Sequence, residues 1–598
     1  MKQPYTAGWQ FIKTLLSSSL LLLLLLLSAG AQAQSGPFGN EWIVAGQPYY
    51  KLKVWRDGMY RLDYNYLQSL NATGVAPTRF QLWRRGKEVA VYQGGTQNTL
   101  DATSYLEFYG QRNDGALDRE YYKNPADQAN RYYSFYTDTA AYFITWGSRA
   151  GKRVAQPVAA GGTPHAWRLQ TALKLVVGGY VQGPTEFVAH LPWLESSEGF
   201  FSGTTGGPFS TRTDSLLRAI VTTPGAPDIR AEVCLVGGSV PGNVGSGLGA
   251  HTVNVRAVAP SGAVRQLGVL TFLNYNVVRG TYTLLPGDLN NGAVDINCAT
   301  VQRGATPGDL WRYSYVKVKA PQQNVWFSDR HSTWFQNDSL LAGPATYEVD
   351  NVPPTVVGYD IEDPWNVQRI APTAAQTLGS TGRRFVFPSA TSAATRRLYL
   401  ADAAVWLTPP TARRVNFRAI NPAAPNYVII THPQLMQPAG TVPNAARAYA
   451  SYRASVAGGR YDTLMVTAPL LYDQFHYGER SVIALRHFAL WLVGSSPATQ
   501  TKYLLLLGKA RAPGTQPGQS YILTGGGIVA ANTTRILGEQ GQDLVPCSTA
   551  STSDNFLSSD WPNNNFVAKM PTGRIPATSP QEVMNYLAKI QQHERYQR

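Results

Sequence analysis

The chain has 598 residues, of which 44% are hydrophobic and 15% charged, and its formal charge is +15. At about 150 residues per domain there is room for three or four cores, and the charged fraction is below the roughly 25% of an average globular protein. Basic pairs such as Arg84 and Arg85, Arg383 and Arg384, Arg396 and Arg397, and Arg413 and Arg414 are scattered and form no stripe interleaved with aromatics; this argues against a nucleic-acid partner and leaves at most a weak attraction to acidic surface glycans.

Residues 1–33 carry Lys2 and Lys13, an apolar run over 15–27 dominated by leucine, and then Ala31, Gln32 and Ala33. This is the pattern of a secretory signal peptide cleaved after Ala33. The run is shorter than the roughly 20 residues a bilayer requires, and no later segment is long and apolar enough to span. The expectation is therefore an exported chain, in the periplasm, on the outer-membrane surface or secreted.

Residues 34–150 read as an amino-terminal β module. The runs YYKLKVW at 49–55 and MYRL at 59–62 flank Asp57 and Gly58 and predict a hairpin. Further strands are expected at 80–83, 105–109 and 141–146, and the aromatic richness reads as core and cross-strand packing rather than a carbohydrate-stacking face. Residues 151–420 alternate short β runs, such as 231–236, 252–256 and 313–318, with Gly, Pro and Asn turns. They predict an antiparallel β-sandwich followed by a trailing β passage over 345–419. Cys234 and Cys298 lie in this region and could pair, which would leave Cys547 over.

Residues 421–598 change character. The β-branched run NYVIIT at 426–431, an amphipathic stretch at 445–456 closed by Gly458 and Gly459, an apolar run at 463–467, a second helical stretch at 481–493 and YLLLL at 503–507 alternate strand and helix. All-apolar strands in that order predict a parallel sheet covered on both faces. A last helix is specified by Ser579 as N-cap, Pro580 at the first position and Glu582 completing a capping box. Its face of Val583, Tyr586, Leu587 and Ile590 is expected to seek further strands and, without them, to expose apolar surface. The fold class is thus multidomain α+β: a β-rich amino-terminal module and an antiparallel β-sandwich, followed by an incomplete α/β domain.

The residues Tyr472, Asp473, Gln474, Phe475, His476, Tyr477 and Gly478, then Ile483, Leu485, Arg486 and Phe488, then 503–508, resemble the gingipain-type cysteine peptidases in order and spacing. Gly573, Arg574, Ile575, Pro576 and Ala577, followed by Glu582 and Lys589, match the next segment of that family. Leu100, Asp101, 105–112 and 142–146 extend the likeness to the amino-terminal module, and the chain is most similar to the PorU-like sortases of type IX secretion. The resemblance implies a gingipain/caspase-like fold and a thiol peptidase or sortase. Such an enzyme removes carboxy-terminal sorting domains from cargo proteins and passes the acyl group to an amine on a surface glycolipid. It also implies a catalytic histidine in a Gly-His-Gly segment and a cysteine ending a later strand, both after the stretch matched by 573–589. No Gly-His-Gly occurs in the chain, so no family catalytic residue is carried over, and both are expected beyond Arg598. No cofactor is required; a structural calcium ion is compatible with the family.

Local residues offer substitutes. His432 follows the first strand at the catalytic end of such a sheet, and Cys547 follows the apolar approach Leu544, Val545 and Pro546; together they could make a thiol–imidazole dyad. His476 and His487 read as structural. Asp554, Asn555 and Asp560 could offer oxygens to calcium, whereas Gly508 and Lys509 depart from the acidic residue that family members carry there. The competing expectation is a non-catalytic exported binding or scaffold protein that keeps a remnant peptidase domain.

Overall fold

The computed structural model describes residues 37–596 apart from 73, 182–190, 240–249, 302–308, 338–342, 389–394, 498, 512–542 and 549–552. The expected signal peptide and its cleavage point after Ala33 lie outside the described residues. No helix among those described is long and apolar enough to cross a membrane.

The amino-terminal part is two antiparallel sheets face to face. One has five strands in the order Arg413–Val415, Tyr49–Val54, Ala140–Trp146, Phe80–Arg84 and Lys87–Val89; the other has three, Gly58–Leu62, Tyr105–Gly110 and Tyr92–Gly94. The predicted hairpin is not formed. Tyr49–Val54 pairs with Ala140–Trp146 and Arg413–Val415, while Gly58–Leu62 pairs with Tyr105–Gly110, so the turn at Asp57 and Gly58 passes the chain from one sheet to the other. Alternation defines each strand but not its partner. Here Leu52 and Val54 bury against Tyr60 and Leu62 across the core between the sheets.

An eight-stranded antiparallel sheet over residues 168–402 is the spine of the middle of the chain. One portion of it faces the sheet containing Ala250–Val258 and Ala293–Thr300, with Val233, Leu235, Val255 and Ile296 between them. Another portion faces the sheet of Ala345–Val349 and Gly382–Phe387, with Phe335, Tyr347 and Leu398 in the core. The possible disulfide is absent: none of the three cysteines is in one. Period-two alternation explains this. On Ile229–Gly237, Val233 and Leu235 point to the facing sheet that carries Cys298, whereas Cys234 points the other way, into a cluster with Ala129, Phe201 and Tyr315.

The carboxy-terminal part is the predicted parallel sheet. Its elements are β1 (Tyr427–Thr431), α1 (Ala445–Ala454), β2 (Thr463–Thr467), α2 (Ala468–Phe475), α3 (Ile483–Gly494), β3 (Tyr503–Leu507), β4 (Thr572–Ile575) and α4 (Pro580–Tyr596). The four strands are all parallel, in the order β2-β1-β3-β4. Side chains alternate between faces: Val428, Ile430, Leu504 and Leu506 meet α2 and α3, and Ile429, Leu505 and Leu507 meet α1 and α4. Helix α2 is not among the helices expected from the sequence, although Thr467 caps it by accepting from the Leu470 N–H and Pro469 sits in its first turn.

Helix α4 corrects the expectation of exposed apolar surface. Val583 and Leu587 are buried against Tyr449 and Ala446 of α1, while Tyr586 is 41% exposed. The small residues Ala445, Ala446 and Ala450 leave a shallow groove that receives the helix, and Glu594 fastens its far end to Arg453 at 2.8 Å. The cap is also modified: Ser579 Oγ accepts from the Glu582 N–H at 3.3 Å, but the Glu582 carboxylate reaches back to the N–H of Thr578 at 2.7 Å, one residue before the cap.

Candidate functional site at the carboxyl ends of the parallel strands

In an open parallel sheet, reacting groups collect outside the carboxyl ends of the strands, at the point where successive connections leave in opposite directions. Here that point lies between β1 and β3. β1 delivers His432 and β3 delivers Gly508 and Lys509, while Arg480, Asp543 and Cys547 approach from connecting segments.

The centre of the arrangement is Asp543, whose side chain is 1% exposed. Its Oδ2 accepts from Arg480 at 2.7 Å and its Oδ1 from the Arg511 N–H at 2.9 Å. Arg480 donates also to the Asp543 carbonyl at 3.1 Å. His432 stands within electrostatic reach of this pair. Its Nδ1 accepts from the Gln434 N–H at 3.2 Å, capping a short 3-10 turn, and partial burial, aided by Arg480, lowers its pKa below the ordinary histidine value. With Nδ1 an acceptor, the neutral ring carries its proton on Nε2.

Cys547 is buried, and its thiol faces the Arg511 carbonyl at 3.6 Å. Burial pushes the thiol up to about 12, against the opposing pull of Arg574. A nucleophilic cysteine needs the opposite environment. No hydrogen bond joins His432 to Cys547; the structure brings both to the same end of the sheet without making them a dyad. Cys234 and Cys298 are likewise pushed up to about 12 by burial.

Arg574, inside the motif Gly573 to Ala577, staples the strand ends. It donates to the Gly508 carbonyl at 2.9 Å and the Val545 carbonyl at 2.7 Å, and holds both oxygens of Asp554 at 2.7 and 2.9 Å. The Asp554 carboxylate is thus turned to a guanidinium, and the Asp560 carboxylate receives Asn563 Nδ2 at 3.0 and 3.2 Å. The Asn555 carbonyl accepts from Ser559 Oγ. Among the described residues no group of three or more His, Cys, Asp or Glu side chains is placed to hold a metal ion.

His476 and His487 belong to a joint with the amino-terminal module. His476 Nδ1 meets the Glu479 carbonyl at 2.9 Å, and burial next to His487 holds its pKa down at about 4. His487 places its ring nitrogens on the Phe475 carbonyl at 3.0 Å and Glu120 at 2.7 Å. Asp473 of the motif and the residues just after it do the same work. Asp473 takes Lys51 at 2.7 Å and also Arg413; Glu479 takes Arg85; Ser481 Oγ meets Tyr121 OH at 3.0 Å. The motif at 472–478 and the Glu479 and Ser481 that follow it therefore hold two parts of the molecule together rather than line the strand ends. Sequence reasoning missed Arg480 and Asp543. Arg480 lies two residues beyond the motif, but Asp543 has no local signal.

Residues 420–598 match the model of peptidase family C25, the gingipain family. The fold as a whole is similar to that of the dimeric latent PorU from Porphyromonas gingivalis, with 15% identity and a TM-score of 0.57, over 91% of this chain and 49% of that one. The chain thus spans about half the length of the solved structure it matches. A structure of the infectious bursal disease virus Gx strain aligns at 8% identity over 62% of this chain and 71% of that one, with a TM-score of 0.14 that carries no argument. No curated protein matches the sequence.

Proposed function

We propose that the chain is part of an exported gingipain-type cysteine peptidase or sortase of type IX secretion that processes the carboxy-terminal sorting domains of cargo proteins. The observation that carries this reading is that the family match falls on the residues of the parallel sheet, with the β modules in front of it in the arrangement of PorU. In this reading the present residues build the sheet, the β modules docked to it, and the polar floor of Arg480, Asp543 and Arg574 at the strand ends. Peptide cargo and an amine acceptor on a surface glycolipid are the partners it implies.

The three thiols, each buried and held protonated, favour a nucleophile other than Cys234, Cys298 or Cys547. Iodoacetamide labelling of the native chain should leave all three unmodified until denaturant is added; fast native labelling of Cys547 would make it the nucleophile. The functional test is disruption of the gene in its source organism. Accumulation of cargo with intact sorting domains is expected, and normally processed cargo would defeat the proposal in favour of a scaffold.

A further inference from the structure

A cavity of about 600 Å3 opens between the segment preceding Tyr49, the passage 414–420 and the helices α2 and α3. None of His432, Arg480, Asp543 or Cys547 lines it, so it is separate from the strand ends. Its volume is in the range of ligand sites, about 300–1,000 Å3. Three features define what it suits.

Its walls include the aromatic rings of Tyr49, Phe417 and Trp491, which offer rigid apolar area. Its charge is of one sign: Arg414 and Arg418 are the charged side chains of the lining, with no carboxylate among them. Arg414 is exposed and its guanidinium has no hydrogen-bond or ion-pair partner among the described residues, in a chain of formal charge +15. Its backbone is also available. Arg413–Val415 is the outermost strand of its sheet, paired only with Tyr49–Val54. Beyond it, the N–H groups of Asn416, Phe417, Ala419 and Ile420 make no bond to any described residue, whereas Arg418 is tied to Gln474 by two bonds of 3.0 Å. An open strand edge continued by unpaired main chain, beside apolar pockets, is the arrangement that recognises an extended peptide by strand addition.

We infer that this cleft is a docking site for an extended polypeptide segment carrying carboxylate side chains. Main-chain bonds to 413–420 hold the segment, alternate apolar side chains sit on Phe417 and Trp491, and the carboxylates meet Arg414 and Arg418. Binding here is independent of catalysis and can be measured without it.

The test is fluorescence anisotropy of a labelled octapeptide of alternating valine and glutamate with the whole chain, beside a valine–lysine octapeptide and a valine–glutamate peptide N-methylated at alternate residues. Saturable binding of the first alone is expected. It should weaken about tenfold in Arg414→Glu, which is about 1.4 kcal/mol, and weaken with added salt. The Arg414 guanidinium makes no hydrogen bond or ion pair to a described residue, so an unchanged melt of the variant is expected and shows that its fold is intact. Should the variant melt early, the N-methylated peptide decides alone on the unaltered chain. Equal binding of the lysine peptide, undiminished binding of the N-methylated one, or no saturation at millimolar peptide would overturn the inference. Concentration-dependent dimerisation in sedimentation, abolished by Arg414→Glu, would overturn it too, by making a second copy of the chain the occupant.

Discussion

The β-sandwich and the joint between the amino-terminal and α/β parts differ in how their most deeply buried charges are met. In the β-sandwich, Arg168 and Arg312 are buried without a carboxylate: Arg168 donates to Gln322 Oε1 at 3.0 Å and the Val325 carbonyl at 2.8 Å, and Arg312 to the Ser197 and Gly237 carbonyls at 3.3 and 3.2 Å. Burial accordingly lowers both to about 10. At the joint and the strand ends three buried carboxylates are met by cations, Asp473 by Lys51 and Arg413, Glu479 by Arg85, and Asp543 by Arg480, while Arg486 of α3 donates to carbonyls as the sandwich arginines do. The sandwich uses its buried arginines to satisfy carbonyls where strands end. The joint uses ion pairs whose two sides come from distant parts of the chain, so there a single substitution leaves a charge stranded.

The largest effect is expected at the joint. Gly478 has φ +83°, and a Cβ there would lie 2.6 Å from Ala141 Cβ and 2.8 Å from Phe143 Cζ of the amino-terminal module. Gly478→Val combines left-handed strain with overpacking, at a cost of about 4 kcal/mol. Limited proteolysis should separate the two parts at denaturant concentrations the parent survives; an unchanged digestion pattern would show that they do not dock through this loop. Asp473→Ala strands Lys51 and is expected to cost about 3 kcal/mol, read as a lowered urea midpoint. Replacing Lys51 by Met in the same chain should recover part of that loss, and no recovery would mean that the ion pair is not what Asp473 supports.

Arg168→Ala tests the other half of the contrast. It leaves the Gln322 and Val325 acceptors without a donor and opens a void, for about 2 kcal/mol. Its effect should be insensitive to salt, and a strong salt dependence would betray an ionic role. Asp118 gives a smaller, pH-dependent signal at the joint. Burial raises its carboxyl to about 7, so between about pH 4 and 7 the unfolded chain releases a proton that the folded chain keeps, and stability falls as pH rises. His476, held at about 4, acts in reverse, losing stability as pH falls from 6.5 towards 4. Asp118→Asn should therefore unmask a urea midpoint that rises with pH across this window; a midpoint that still falls would assign the raised group elsewhere.

How legible these features were in the sequence follows the same division. Strands β1, β2 and β3 and helices α1 and α3 were readable within a few residues because apolar periodicity, N-caps and glycine stops act over one or two turns, whereas the short strand β4 was not read as one. Helix α2 was overlooked because aromatic and polar residues at 472–477 mask its period, although Thr467 and Pro469 announce its start. The hairpin at Asp57 and Gly58 and the pairing of Cys234 with Cys298 failed for a common reason: spacing along the chain does not say which face or which sheet a residue joins. The motif at 472–478 was found, but its place at the joint was not, since Asp473 and its partner Lys51 stand 422 residues apart.

Strand identity, the parallel character of the last sheet and the capping of its final helix rest on local backbone preference and the periodic placement of apolar side chains, and a single chain read in order contains both. Tertiary packing alone settled three matters: that α4 rests on the alanines of α1, that Asp543 meets Arg480 at the strand ends, and that an unpaired edge beside Phe417 is left open. Each is a question of which surfaces exclude water from one another, and burial and ion pairing depend on proximity in space, whatever the separation along the chain.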